Sequence, residues 1–327
     1  MTGTIERRCN ASQNTFAADL AAYVGKRDHS EVLVTGWRQV SATVQTVTVA
    51  WPRSHAFYTP GPRGHSPLLF TESVRQALAV VSHTQHEIPL DYRMGWEYFR
   101  CDVVPDGLRL RPGTAEMTLV VAHTAVKRRS LGSVHLVADV EASIDGEYVG
   151  SAEIRYSAHP PAIYNRLRGP YADARAAFAR ALPPGAPVLP AFVGRHSERD
   201  VVLSPASSAS SASSASSRPP TPLPDEWLLR ADTSHGVLFD HPHDHVPGMV
   251  LLEAVTQAAS AFAAPRDVTP VCLDTTFFRY VEFDLPCLIR AESADPDIRM
   301  RPRLRVHGQQ AGRPAFTTVV TLEPSAL

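Results

Sequence analysis

The sequence predicts an α+β fold built twice in one chain, each copy a long central helix wrapped by an antiparallel sheet. Two observations predict it. The order strand, loop, long helix, antiparallel strands occurs in both halves, and the two helices carry the same Glu-x-x-x-Gln-Ala element. The 327 residues are long for one domain and comfortable for two.

The first copy begins after a poorly patterned extension, residues 1–28. Strand-like runs cover residues 31–35 and 42–51, the second closed by Pro52. A loop rich in Pro, Gly and His leads to a helical run over residues 68–83 with no Gly or Pro inside. Residues 116–126 and 133–144 alternate polar and apolar, and Asp145-Gly146 makes a hairpin turn into residues 148–156. The first domain therefore spans 29–165.

A connector, residues 166–200, follows, with an Ala-rich amphipathic helix expected at 171–182. Residues 201–224 are expected to be a flexible linker, because the Ser/Ala/Pro tract within them offers little apolar surface to bury. The second domain, 225–327, repeats the plan: a short segment at 227–239, the loop HPHDHVPG at 241–248, a helix at 249–263, and strands at 271–283, 287–291, 301–307 and 315–322. The duplication shows in residues as well as in order. PLLFTESVRQA (67–77) and PGMVLLEAVTQA (247–258) align Glu72 with Glu253 and Gln76 with Gln257.

The hydrophobic share of 44% suffices for a proper core, and a net charge of −1 argues against a general nucleic-acid or membrane-surface binder. Cys9, Cys101, Cys272 and Cys287 lie far apart and suit a reducing compartment rather than a disulfide framework or zinc site. The N-terminal stretch 16–24 is short and holds Asp19, so it fails as a signal peptide, and no apolar run is long enough to span a bilayer. A cytoplasmic location is the expectation.

Apolar residues surround Glu72 and Glu253 on every face of their helices. A carboxyl there must be paired or have a raised pKa, and a raised pKa suits a general acid or base near neutrality. The plainer alternative is a Glu favoured by the helix dipole and bonded to backbone. Glu and Gln four apart share a face and can reach one ligand. In the second loop, His241 and His245 are candidate acid–base groups, and His243 is expected to be a solvated loop residue. No carboxylate or Cys set completes a metal site, so neither metal nor cofactor is expected. Gly248 permits close backbone approach, and free N–H groups at either helix start, near Gly248 or near Leu68, could hold a thioester carbonyl as it becomes an oxyanion.

The stretch from His241 to Gln257 resembles the active-site segment of the hot-dog dehydratases of fatty-acid synthesis. A closer resemblance is to the A-factor biosynthesis family, the γ-butyrolactone autoregulator synthases. It is carried by EVLVTGW (31–37), WPRSHAFY (51–58), PLLFTESVRQA (67–77), FDHPHDHVPGMVLLEAVTQAA (239–259) and FFRYVEFD (277–284).

The resemblance implies tandem hot-dog domains forming an internal pseudo-dimer, either monomeric or further assembled. It implies transfer of a β-ketoacyl group from acyl carrier protein to dihydroxyacetone phosphate or a similar small acceptor. By analogy His241 or His245 would face Glu72, and Glu253 would face the first loop, with Glu72 and Glu253 as bases. Gln76 and Gln257 would orient the substrate, and Arg75, Arg63 and Arg279 are candidates for the phosphate. The family pattern has an Arg three residues after the second Glu, where Thr256 stands, so phosphate handling falls to the Glu72 side and the second site is expected to be altered. Alternatives are a dehydratase or thioesterase, and a non-catalytic binder of an acyl chain or lactone.

Overall fold

The computed structural model describes residues 20–61, 64–206 and 225–325. Most of the expected Ser/Ala/Pro linker, Arg63 and Cys9 lie outside the described residues.

In the first half, β1 (Val34–Gln39) and β2 (Val44–Trp51) precede helix α1 (Pro67–Thr84), and β3 (Arg93–Val103), β4 (Ala115–Arg128), β5 (Val134–Ile144) and β6 (Glu147–His159) follow it. Short helices α2 (Pro161–Arg168) and α3 (Ala174–Ala179) bridge to the second half. There β7 (Leu203–Pro205) and β8 (Glu226–Leu229) precede α4 (Gly248–Ala263), and β9 (Val268–Phe277), β10 (Cys287–Ala294), β11 (Arg303–Gln310) and β12 (Arg313–Pro324) follow it.

All twelve strands form one antiparallel sheet, ordered β1-β2-β4-β5-β6-β3-β9-β12-β11-β10-β8-β7. Read from either end, each half gives its first, second, fourth, fifth, sixth and third strand. The duplication is therefore topological as well as sequential. The join is the β3–β9 pair, with Phe99 opposite Thr275 and Arg100 opposite Asp274.

The buried faces explain the strands. In β2, Val47, Val49 and Trp51 alternate inward, and in β4 Met117, Leu119 and Val121 do the same. Both long helices are buried nearly all round, as their sequences require, and they touch each other across the join.

Four elements differ from expectation. Strand β3 was not foreseen, because a register shift between Trp96 and Tyr98 breaks its polar–apolar alternation. The helix expected at 171–182 is confined to Ala174–Ala179, and α2 was not anticipated. Leu203–Pro205, inside the tract read as linker, pairs with β8, and Val201 and Leu203 are buried.

Candidate active site

Each buried helix grips the chain segment that leads into its own half. In the first half, Gln76 Oε1 accepts the Leu33 N–H (2.8 Å), while its Nε2 donates to Glu31 O and to Glu72. In the second, Gln257 Oε1 accepts the Val202 N–H (2.9 Å), while its Nε2 donates to Asp200 O and to Glu253. The two glutamines thus spend their amides on backbone and on their own Glu. That corrects the expectation that they orient a substrate.

Each Glu is held by a guanidinium in the same geometry. Arg75 donates through Nε (2.8 Å) and Nη2 (2.7 Å) to Glu72, and through Nη1 to Val24 O. Arg195 donates through Nε (2.7 Å) and Nη2 (2.5 Å) to Glu253, and through Nη1 to Phe57 O. Arg75 comes from the helix itself, Arg195 from the connector. The arginine missing at Thr256 is thus supplied in space by another residue, and Thr256 instead bonds Glu253 O (2.9 Å).

Glu72 also faces Lys26 Nζ at 3.5 Å. Burial alone would raise its pKa, but Arg75, Lys26 and the Gln76 hydrogen bond hold it at about 2. The raised pKa expected of a buried general base is therefore not found. Glu72 is an anchor for Arg75, engaged through both oxygens.

What opens to solvent is the arginine. The Arg75 side chain is 25% exposed, against 4% for Arg195. A guanidinium has five N–H donors, and three of Arg75's are committed within the protein, leaving two for a ligand.

Arg75 lines a cavity of about 420 Å³ at the join between the halves. Leu78 and Trp96 of the first half and His243, His245, Gly248 and Arg279 of the second complete its wall. Helix α4 begins there on Pro247 with no side-chain cap. At α1 the Ser66 hydroxyl accepts the Leu68 N–H, so the alternative oxyanion position near Leu68 is already capped. The close approach at Gly248 is made by Trp96: a Cβ on Gly248 would lie 2.7 Å from its ring.

The histidines of the loop divide. His245, whose Nδ1 bonds Asp244 Oδ1 (2.9 Å), lines the cavity, whereas His241, whose Nδ1 bonds Asp240 Oδ1 (2.5 Å), is not among its lining residues. His243, expected to be solvated, is half-buried on the cavity wall. It packs among Phe178, Phe239 and His241, and burial, with His241 and His245 beside it, lowers its pKa to about 3.

Donor atoms of Asp240, His241 and His243 lie within 4.8 Å of one another, close enough for a metal ion. Asp240, however, already accepts His241 and the Arg27 N–H (2.7 Å), Lys26 acts on Asp240, and Arg75 acts on His243. These cations oppose a further positive ion.

The pseudo-equivalent cavity, about 470 Å³, joins Glu253, Thr256 and Arg195 to His65 and Ser66 of the first loop. His65 bonds Thr59 Oγ1 (3.0 Å), and burial, then Arg111 and His55, lower its pKa to about 4. Its arginine is sealed and its histidine neutral.

Sequence reasoning missed Lys26 and Arg195, although a signal existed. AYVGKRDHSEVLV (22–34) and AFVGRHSERDVVL (191–203) are a second repeat, aligning Lys26 with Arg195. Gly25 and Gly194 share a left-handed φ of 67° and 66° at the bend that delivers each cation.

The sequence profile of the A-factor biosynthesis hotdog domain matches residues 11–160 and 177–325. A 2-oxo-3-(phosphooxy)propyl 3-oxoalkanoate synthase from Streptomyces coelicolor is 36% identical over 95% of this chain and 94% of its own length. A protein of the same description from Streptomyces virginiae is 33% identical over 89% and 92%. Among solved structures, a putative oleoyl thioesterase from Lactobacillus plantarum superposes with a TM-score of 0.49 at 11% identity, covering 86% of this chain and 97% of its own. The doubled profile and the full-length relatives agree with the doubled sheet: the chain belongs to the A-factor biosynthesis hotdog family.

Proposed function

We propose that the protein is an acyltransferase that joins a β-ketoacyl group, delivered as a thioester on an acyl carrier protein, to the hydroxyl of dihydroxyacetone phosphate. The observation that carries this reading is the cavity where Arg75 of the first half, with two donors uncommitted, meets His245 of the second. The relatives' description, with a phosphooxypropyl group and a 3-oxoalkanoate, fits such a pair of substrates.

In this reading Arg75 and Arg279 receive the phosphate and so place the acceptor hydroxyl. His245 Nε2 takes the hydroxyl proton as oxygen attacks the thioester carbon. The uncapped N–H groups at the start of α4 stabilise the oxyanion. Collapse breaks the C–S bond, and the proton passes to the leaving thiolate. Glu72 takes no proton and holds Arg75 in place.

Mass spectrometry of products from a β-ketoacyl thioester, with and without dihydroxyacetone phosphate, tests the reading. An ester formed only with the acceptor supports it. Free acid or a dehydrated thioester formed without the acceptor would replace it with hydrolysis or dehydration.

A further inference from the structure

Behind His245 lies a partly buried ionic group in which Asp244 and Glu282, from two of the sequence motifs, meet Tyr164 and Arg168, which belong to none. Asp244 Oδ1 accepts His245 Nδ1 at 2.9 Å, and its Oδ2 accepts the Tyr164 hydroxyl (2.6 Å) and Arg168 Nε (2.8 Å). Arg168 also donates to Asp244 O and, through both terminal nitrogens, to Glu282 at 2.7 Å. Its guanidinium lies 4.3 Å from the centre of the Tyr280 ring, which in turn packs on His245. Arg168 is 5% exposed, at the end of α2.

The charges decide what this group does. Asp244 and Glu282 bring two negative charges, and Arg168 brings one positive. The set carries one uncompensated negative charge, and a protonated His245 would neutralise it. Burial would push the Asp244 carboxyl up, but its hydrogen bonds from His245, Tyr164 and Arg168 hold it well below the usual range, so it stays an acceptor. An ionised acceptor at Nδ1 fixes the tautomer with hydrogen on Nδ1 and a lone pair on Nε2.

We propose that Asp244 is the positioning residue of the general base His245, and that Arg168 and Tyr164 hold Asp244 in that role. The arrangement rests on the acyl-transfer reading only for the identity of the reaction. The aspartate presents Nε2 to the cavity and stabilises the imidazolium formed when the acceptor hydroxyl gives up its proton. Arg168 ties the connector helix α2 to the catalytic loop, which accounts for the burial of its charge.

The test combines nitrogen-15 histidine NMR with kinetics. In the wild-type protein His245 is expected as the Nδ1–H tautomer, and an Nε2–H tautomer would overturn the proposal. Asp244→Asn is expected to abolish that preference and to lower kcat about 100-fold or more, with KM for the acceptor little changed. Arg168→Met is expected to lower kcat in the same way, and Arg168→Lys to recover part of the loss. Unaltered tautomer and kcat in a folded Asp244→Asn variant would refute the role. Wild-type protein that forms no ester would overturn the acyl-transfer reading and leave the tautomer result standing.

Discussion

The two halves solve one problem in two ways. Each buries a glutamate in a helix packed nearly all round and pairs it with an arginine that gives two hydrogen bonds to the carboxylate and one to a backbone carbonyl. In the first half the arginine rises from the helix and keeps a quarter of its side chain open to the cavity. In the second it arrives from the connector, lies against the Phe57 ring at 4.2 Å, and is shut off. A duplicated fold can thus seal a buried ion pair in one copy and open its cation to a cavity in the other.

The largest expected effect falls on the sealed pair. Glu253→Gln leaves Arg195 buried without a counter-charge and should cost about 3–5 kcal/mol, read as a lower denaturation midpoint. Glu72→Gln should cost less, about 2 kcal/mol, because Arg75 can turn to solvent. It should nonetheless weaken use of the phosphorylated acceptor.

The next effect tests whether the source of the arginine matters. Arg195→Met should destabilise about as much as Glu253→Gln, and adding Thr256→Arg to it should recover much of the loss. Failure of that rescue in urea titrations would mean the two geometries are not interchangeable.

At the open pair, Arg75→Lys should lower kcat/KM for the phosphorylated acceptor roughly 10- to 100-fold, the scale of a charge-assisted bond of about 1.5–3 kcal/mol. Stability should change little.

The smallest effect is on pH. Burial first, with neighbouring cationic groups, lowers the pKa of His65 to about 4 and that of His243 to about 3. The unfolded chain therefore binds protons first, below about 6.5. Stability is complete above that value and falls as pH drops toward 4. His65→Gln should flatten this decline in denaturation midpoints measured between those limits.

Much of the fold was legible, and the reasons are local. Helices α1 and α4 announced themselves by apolar residues on every face, and β4 and β5 by alternation. The strand at the join was hidden by its bulge at Trp96. The site was half legible. Glu72, Arg75 and His245 stand in recognisable motifs. Lys26, Arg195, Arg168 and Tyr164 reach their partners only through folding: Arg168 lies 76 residues from Asp244 in sequence. The raised pKa expected at Glu72 is absent because burial raises a carboxyl only when no cation comes to meet it.

The central claim is that one of the two cavities, the one at Arg75, takes the phosphorylated acceptor. Calorimetric titration of the intact protein with dihydroxyacetone phosphate tests it most directly. The expected result is a single site that is lost in Arg75→Met and kept in Thr256→Val. Two equivalent sites, or binding that survives Arg75→Met, would contradict it.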